Sequence, residues 1–486
     1  MSTSDSVAGR AALAVGLMLG FYVLALAIVA ALVFVPIAEV VFTDRIHPKI
    51  ALICLFGAGT ILWSILPRPD RFEAPGPLLE PANHPKLFAE IEDVARATGQ
   101  AMPAEVFLVG DVNAWVAQRG GVMGFFSRRV MGLGLPLLQT LSVPELRAVL
   151  AHEFGHYYGG DTRLGPWVYK TRSAIGRTIG GLGDSFLQLP FILYGNLFLK
   201  VSHAVSRRQE LSADALASRV AGSRPLVEGL KKLAPATAGF GAYWSQEVVP
   251  VVQAGYLPPI AEGFRRFNAD ARVSKAEAKV LEEALREVET NPYDTHPPLA
   301  ERIAAVSALP EGPDPAGEPA AISLLSDVAG LERRWFATLF DAVSVGKLVA
   351  IAWDEVASTV LLPAWRKAVL ENVVALEGAT VGDLPRFVAE GQLRARLLPG
   401  FVGADDDPDA RKAFVRWLAA VGTILALERA GWTIESPPGA PVSARRNGDT
   451  LLPFDALRRV VDGSLTATAW RDETSRLGVA DLPLAG

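Results

Sequence analysis

The residues His152-Glu153-Phe154-Gly155-His156 have the types and the spacing needed to do metal chemistry. Histidines four apart on a helix stand about 40° from each other around its axis, so both imidazoles can reach one ion from one face. Glu153 falls on an adjacent face, where it can serve as general base on a water held by that ion instead of becoming a ligand. Imidazole ligands with an acid beside them suit zinc and a hydrolytic reaction. The alternative is coincidence on an ordinary helix surface, and with only six histidines in 486 residues that alternative is weak.

A helix must carry the motif, and the flanking residues write one. Ser142-Val143-Pro144-Glu145 reads as a start, with Ser142 at the N-cap, Glu145 closing a capping box and Pro144 tolerated in the first turn. Leu146, Val149, Leu150, Phe154 and Tyr157 recur at helical spacing up to Gly159-Gly160, which predicts about five turns. Upstream, residues 85–99 alternate apolar and charged residues with helical period, 105–109 reads as a strand, and 131–138 reads as a second strand. Helix, strand, strand, helix is an order that suits an α+β zincin-like core.

Zinc needs a third protein ligand. The alanine-rich helical segment 206–217 places Glu210 and Asp214 at i and i+4 on one face. Glu210 would bind the metal while Asp214 accepts the remaining ring N–H of a zinc-binding histidine. The bland alternative is a solvated face in which Arg207 and Arg208 neutralise the acids, and the HExxH motif tips the reading toward the ligand.

Composition places this chemistry beside a bilayer. Half of the residues are hydrophobic and the mean hydropathy is +0.27. Residues 11–42 are almost unbroken Ala, Val, Leu, Ile and Phe, and residues 50–66 form a second apolar run, so a transmembrane hairpin is expected. A cleaved signal peptide would have a shorter core and no second span at once behind it. Arg10, Arg68 and Arg71 flank the hairpin, against Arg45 and Lys49 in its turn, which favours a cytoplasmic catalytic domain. The single cysteine, Cys54, lies within the second span and allows no intramolecular disulfide. The net charge is −5 with no basic stripe interleaved with aromatics, so nucleic-acid binding is not supported.

Taken together, His152-Glu153-Phe154-Gly155-His156, Gly160-Asp161, and Ser206-Arg207 with Glu210, Ala213, Asp214 and Ala217 resemble the signature of a known family. It is the group of integral-membrane zinc metallopeptidases that includes the HtpX heat-shock protease and the CAAX prenyl endopeptidase. Asn83-His84-Pro85 with Leu87, Asn113-Ala114-Trp115, and Thr295-His296-Pro297-Pro298 with Glu301-Arg302-Ile303 are similar to further family blocks, so the resemblance spans roughly residues 10–310. It implies one zinc ion on His152, His156 and Glu210, with Glu153 as the base and Asp214 supporting the metal site from behind. It also implies that Asn113, Ala114 and Trp115 belong to an edge strand holding an extended polypeptide substrate by strand addition. Trp115 stands where the family has Phe, which alters the local pocket. His296 is similar in placement to a histidine that stabilises the oxyanion, the alternative being a helix-cap or surface histidine. For Arg302 a salt bridge is the preferred reading, and for Asp161 a helix end.

The expected fold is mainly α with a small β-sheet. A transmembrane hairpin spans 1–72 and a zincin-like peptidase domain spans 73–310, with a membrane-associated insertion at about 164–202. A mostly helical domain of unknown role fills 311–486. The insertion, with Lys170, Arg172 and Arg177 in its first half, reads as one re-entrant or interfacial segment, full spanning being the alternative. Trp335, Trp353, Trp365, Trp417, Trp432 and Trp470 are expected to be core residues beyond it, and Asp405-Asp406-Asp407 a solvated loop. The expected activity is zinc-dependent endoproteolysis in quality control or processing of membrane-associated proteins. A zinc-holding but inactive scaffold has no use for Glu153, and a site-2-type intramembrane protease would not flank its motif with Glu145, Arg147 and Asp161.

Overall fold

The computed structural model describes residues 3–66, 72–120, 127–157, 165–183, 185–287, 297–340, 342–390 and 408–485. The chain is mainly helical and divides into two compact units, one of residues 1–238 with 278–339, the other of 239–277 with 340–486.

The first unit begins with α1 (Thr3–Thr43) and α2 (Pro48–Ile65), which lie where the two apolar runs placed them. Both are long and apolar enough to cross a membrane. The insertion forms two helices where the sequence suggested one re-entrant or interfacial segment, with full spanning as the alternative. They are α6 (Gly165–Leu182) and α7 (Leu189–Ala221). Ile175 on α6 and Phe191 and Phe198 on α7 are buried in one cluster with Phe21 and Ala25 on α1 and Ile61 on α2. Aromatic edges seal it, the Phe21 and Phe191 rings meeting at 6.3 Å and 71°. Arg177 donates two hydrogen bonds to the Ser64 carbonyl at the end of α2, at 3.2 and 3.0 Å, which ties α6 to α2.

A four-stranded sheet follows the hairpin, in the order β1 (Leu78–Leu79), β2 (Glu105–Val109), β4 (Arg128–Gly134), β3 (Ala114–Arg119). β1 is antiparallel to β2, β2 parallel to β4, and β3 antiparallel to β4, which leaves β3 on an edge. The strand expected at 131–138 occupies Arg128–Gly134, and Leu135–Thr140 is instead the helix α4. Pro136 has no N–H for a ladder and suits a first helical turn, and the fully buried leucines 135, 137 and 138 carry no period that separates strand from helix.

Helix α3 (Pro85–Thr98) buries Leu87, Ile91 and Val94 and packs against the helix Val143–Gly155, and Gly99 ends it at φ 66°, a left-handed conformation glycine adopts freely. Buried His84 caps its start. Its Nδ1 accepts a 3.1 Å hydrogen bond from the Ser326 N–H, and burial together with the charge of Arg334 pushes its pKa down, so the ring is the neutral acceptor this bond requires.

The second unit is helical around Pro408–Arg429, whose Leu418, Ala419, Val421 and Ile424 are fully buried. A three-stranded antiparallel sheet of Thr433–Glu435, Ser443–Arg446 and Asp449–Leu451 lies within it, and no strand was foreseen there. Trp353, Trp365, Trp432 and Trp470 are buried in this unit and Trp335 in the first, while Trp417 is partly buried. Asp405, Asp406 and Asp407 fall outside the described residues.

Candidate metal centre

Helix α5 (Val143–Gly155) carries the HExxH motif. At its start the Ser142 N–H donates to the Glu145 carboxylate at 2.8 Å, and Lys232 donates to the same buried oxygen at 2.7 Å. Leu146, Leu150 and Phe154 are fully buried and fix the rotation of the helix. The helix ends at Gly155, with His156 as its C-cap, and is shorter than the five turns read from periodicity. A Cβ at Gly155 would lie 2.9 Å from the Ala213 Cα on α7, so the two helices touch backbone to backbone at that residue.

That close approach brings the two helices' polar residues together. His152 Nε2 lies 3.4 Å from Glu210 Oε2, and His156 Nε2 lies 3.5 Å from Glu210 Oε1. One ligand atom from each of the three residues lies within 4.8 Å of the others. Ligands about 2.05 Å from a tetrahedral zinc ion are about 3.3 Å apart, so the two histidine–glutamate distances of 3.4 and 3.5 Å suit such an ion. The two rings stand nearly perpendicular, at 86°. His152 and Glu210 are buried while His156 is 30% exposed, which opens the centre on the His156 side.

Behind these three residues, Asp214 is fully buried and lies 2.8 Å from His152 Nδ1. Arg302, from the helix Leu299–Val306, grips the same carboxylate with two bonds, Nε to Oδ2 at 2.8 Å and Nη2 to Oδ1 at 2.7 Å. This is the bidentate pairing that a guanidinium and a carboxylate favour. Burial works against the charge on Asp214, but these bonds and the one to His152 outweigh it and hold its pKa below the usual range. Burial likewise opposes the imidazolium of His152, yet hydrogen bonds to Asp214 and Glu210 and the charge of Glu153 leave its pKa raised to about 9. Three carboxylates thus gather around one guanidinium and two imidazoles, an excess of negative charge that a divalent cation would balance.

Glu153 is half-buried on the same helix. Tyr157, one residue past the second histidine, reaches the edge strand and donates from its hydroxyl to the Val116 carbonyl at 2.9 Å. Arg129 stacks on its ring at 4.4 Å, and burial, reinforced by Glu153 and opposed by Arg129, pushes the phenol up to about 12. Asn113 immediately precedes β3, its carbonyl accepting from the Gly134 N–H at 2.9 Å, and Ala114 and Trp115 are the first residues of that edge strand. The Trp115 indole lies flat over Gly132 on β4, where a Cβ would overlap it. A tryptophan is accommodated here because its cross-strand partner has no side chain.

His296 and Asp161 fall outside the described residues. Arg302 is a salt-bridging residue as expected, and its partner is Asp214, whereas the sequence offered Arg207 and Arg208 as neighbours for the acids. Tyr157 was read only as part of an apolar helix face. A tyrosine directly after the second histidine is the signal that could have flagged it.

The sequence profile of Peptidase family M48 matches residues 81–309, a span that contains the whole cluster. Protease HtpX of Stenotrophomonas maltophilia (strain R551-3) is 25% identical over 257 residues, covering 48% of this chain and 75% of that protein. Protease HtpX of Xanthomonas axonopodis pv. citri (strain 306) is 26% identical over 247 residues, covering 46% and 71%. Protease HtpX homolog of Chlorobium phaeobacteroides (strain BS1) is 25% identical over 254 residues, covering 47% and 71%. No solved structure matches the chain. The profile match, these relatives and the HExxH cluster point the same way, and over residues 81–309 the chain is similar to the HtpX-like metallopeptidases of family M48.

Proposed function

We propose that the chain is a membrane-anchored zinc endopeptidase acting on polypeptides presented near the bilayer, in quality control or processing of membrane-associated proteins. The observation that carries the reading is the meeting of His152, His156 and Glu210 within 4.8 Å, with the Asp214–Arg302 pair bonded behind them. His152, His156 and Glu210 are the zinc ligands in this reading. Bound there, zinc would supply Lewis-acid polarisation of a carbonyl and an activated water near neutral pH.

The chain's own groups do the rest. A carboxylate oxygen of Glu153 takes the proton of the attacking water and passes it to the leaving nitrogen. Asp214 accepts the Nδ1–H of His152, which fixes the tautomer that turns Nε2 toward the ion, and Arg302 keeps Asp214 ionised. The edge strand from Asn113 through Trp115 holds the substrate by main-chain bonds, so selectivity for side chains is low. His296 supports the developing oxyanion. The zincin-like α+β core lies within residues 73–310, and the catalytic domain faces the cytoplasm.

The test is zinc content and casein proteolysis of the detergent-purified chain and of Glu153→Gln. Zinc retained with proteolysis lost is expected. Equal proteolysis in both proteins would overturn the reading, and wild-type protein that binds zinc but cleaves nothing would favour an inactive scaffold.

A further inference from the structure

The edge strand is not uniformly open. In the β3–β4 register Ala114 pairs with Leu133 and Val116 with Met131, and the bond from the Gly134 N–H to the Asn113 carbonyl fixes which pairs exchange hydrogen bonds. Residues 113, 115, 117 and 119 therefore turn their backbone groups inward to β4, while Ala114, Val116 and Gln118 turn theirs outward. Outward carbonyls are what an added strand uses, and it draws on them at alternate residues whichever way it runs. The middle one, at Val116, already accepts the Tyr157 hydroxyl at 2.9 Å.

The tyrosine is held there by more than this bond. Arg129, on the neighbouring strand, lies 4.4 Å over its ring and is itself anchored by the Ala101 carbonyl at 3.0 Å and the Gln100 side-chain oxygen at 3.3 Å. Gln100 also donates to the Tyr157 carbonyl at 3.2 Å. Backbone and ring of Tyr157 are thus both clamped, one residue from His156, where the centre opens.

We infer that Tyr157 is a specificity-determining residue: it occupies the Val116 carbonyl, so one backbone amide of a bound peptide goes unrecognised and that position accepts a residue with no N–H, such as proline. This rests on the peptidase reading above. Sites with an alkylated amide at that position, which an uninterrupted edge strand would reject, are open to this enzyme.

The experiment is an N-methyl scan of one casein-derived peptide that the full-length enzyme cleaves, each backbone amide methylated in turn. An uninterrupted strand would make three alternate amides sensitive, those facing Ala114, Val116 and Gln118; in the wild type methylation of the outer two should lower kcat/KM by about 2- to 10-fold, the worth of one main-chain hydrogen bond, while the middle one, facing Val116, is silent. In Tyr157→Phe the middle amide should become as sensitive as the outer two. The unmethylated peptide should gain through a lower KM at unchanged kcat, because the recovered bond forms in ground and transition states alike. A wild-type profile of unbroken alternation, with the middle amide as sensitive as the outer two, or the same profile in wild type and Tyr157→Phe, overturns the inference while leaving the peptidase reading standing. Absence of zinc-dependent cleavage by the wild type overturns the peptidase reading and the inference with it. The wild-type scan alone decides the matter if the variant does not fold.

Discussion

Replacing Arg302 by Met should weaken the metal centre without touching a ligand. The substitution keeps the volume and removes two charge-assisted bonds of 2.8 and 2.7 Å from a carboxylate with no solvent exposure. Breaking a buried pair from one side costs about 3–5 kcal/mol, a large part of the roughly 5–15 kcal/mol that holds a domain folded. The pH dependence has a definite sign. Asp214 has a depressed pKa, so it contributes stability above its ordinary value of 3.8, lost as pH falls through the depressed one. Without Arg302, burial dominates and the pKa rises, so the variant should regain part of its deficit on acidification, where the wild type only loses stability. A protonated Asp214 is a poorer acceptor for His152 Nδ1–H, and lost support of this kind lowers metal affinity about 10- to 100-fold. Zinc affinity by competition with a chelator, and Tm in detergent from pH 5 to 8, read both effects. Adding Asp214→Asn should recover stability, since no unpaired charge then remains, but not affinity. An Arg302→Met protein with wild-type affinity and wild-type Tm would refute the reasoning.

Other expectations follow from single contacts. Gly155→Ala sets a Cβ 2.9 Å from the Ala213 Cα, so α5 and α7 must separate, at a cost of about 1–3 kcal/mol; chelator competition should show weaker zinc binding, and unchanged affinity would mean the helix contact does not set the ligand distances. His152 has a raised pKa, so its contribution to metal-free stability is complete below 6.5 and lost as pH rises through about 9. Zinc uptake at pH 7 should therefore release a proton, measurable by calorimetry in buffers of different ionisation enthalpy, and a buffer-independent heat would contradict it. His296→Ala should lower kcat by about 10²-fold or more with zinc content unchanged, and full kcat in that variant would return His296 to a capping or surface role.

Much of this centre could be read directly from side-chain spacing. HExxH needs only the helical repeat to bring two imidazoles together, and Glu210 with Asp214 needs the same repeat on a second helix. What spacing does not convey is the distance between the helices, which is decided by Gly155 against Ala213, two small residues 58 positions apart that no local pattern links. Arg302 was legible as a charge but not as the partner of Asp214, because 88 residues separate them. Strand β3 came only from family likeness. Its Ala114-Trp115-Val116-Ala117 run has no alternation, because both faces of an edge strand tucked against α5 are partly buried. Leu135 to Leu138 failed for the opposite reason, burial so complete that strand and helix look alike.

The least legible feature has the widest consequence. The sequence suggests an insertion ending near residue 202 and a separate helix carrying Glu210, but one helix of 33 residues, about 50 Å long, does both jobs. Gly195, which could have broken it, lies instead against Ile175 on α6, so its missing side chain serves packing. Phe198 is buried against the apolar pair α1 and α2, and Glu210 lies 12 residues, about 18 Å, farther along the same rod. Because a continuous helix resists bending, a displacement of the apolar helices should reach Glu210 instead of being absorbed in a loop. Detergent or lipid conditions that disturb the Phe21–Phe191–Phe198 cluster should accordingly weaken zinc binding at a site that touches none of those residues.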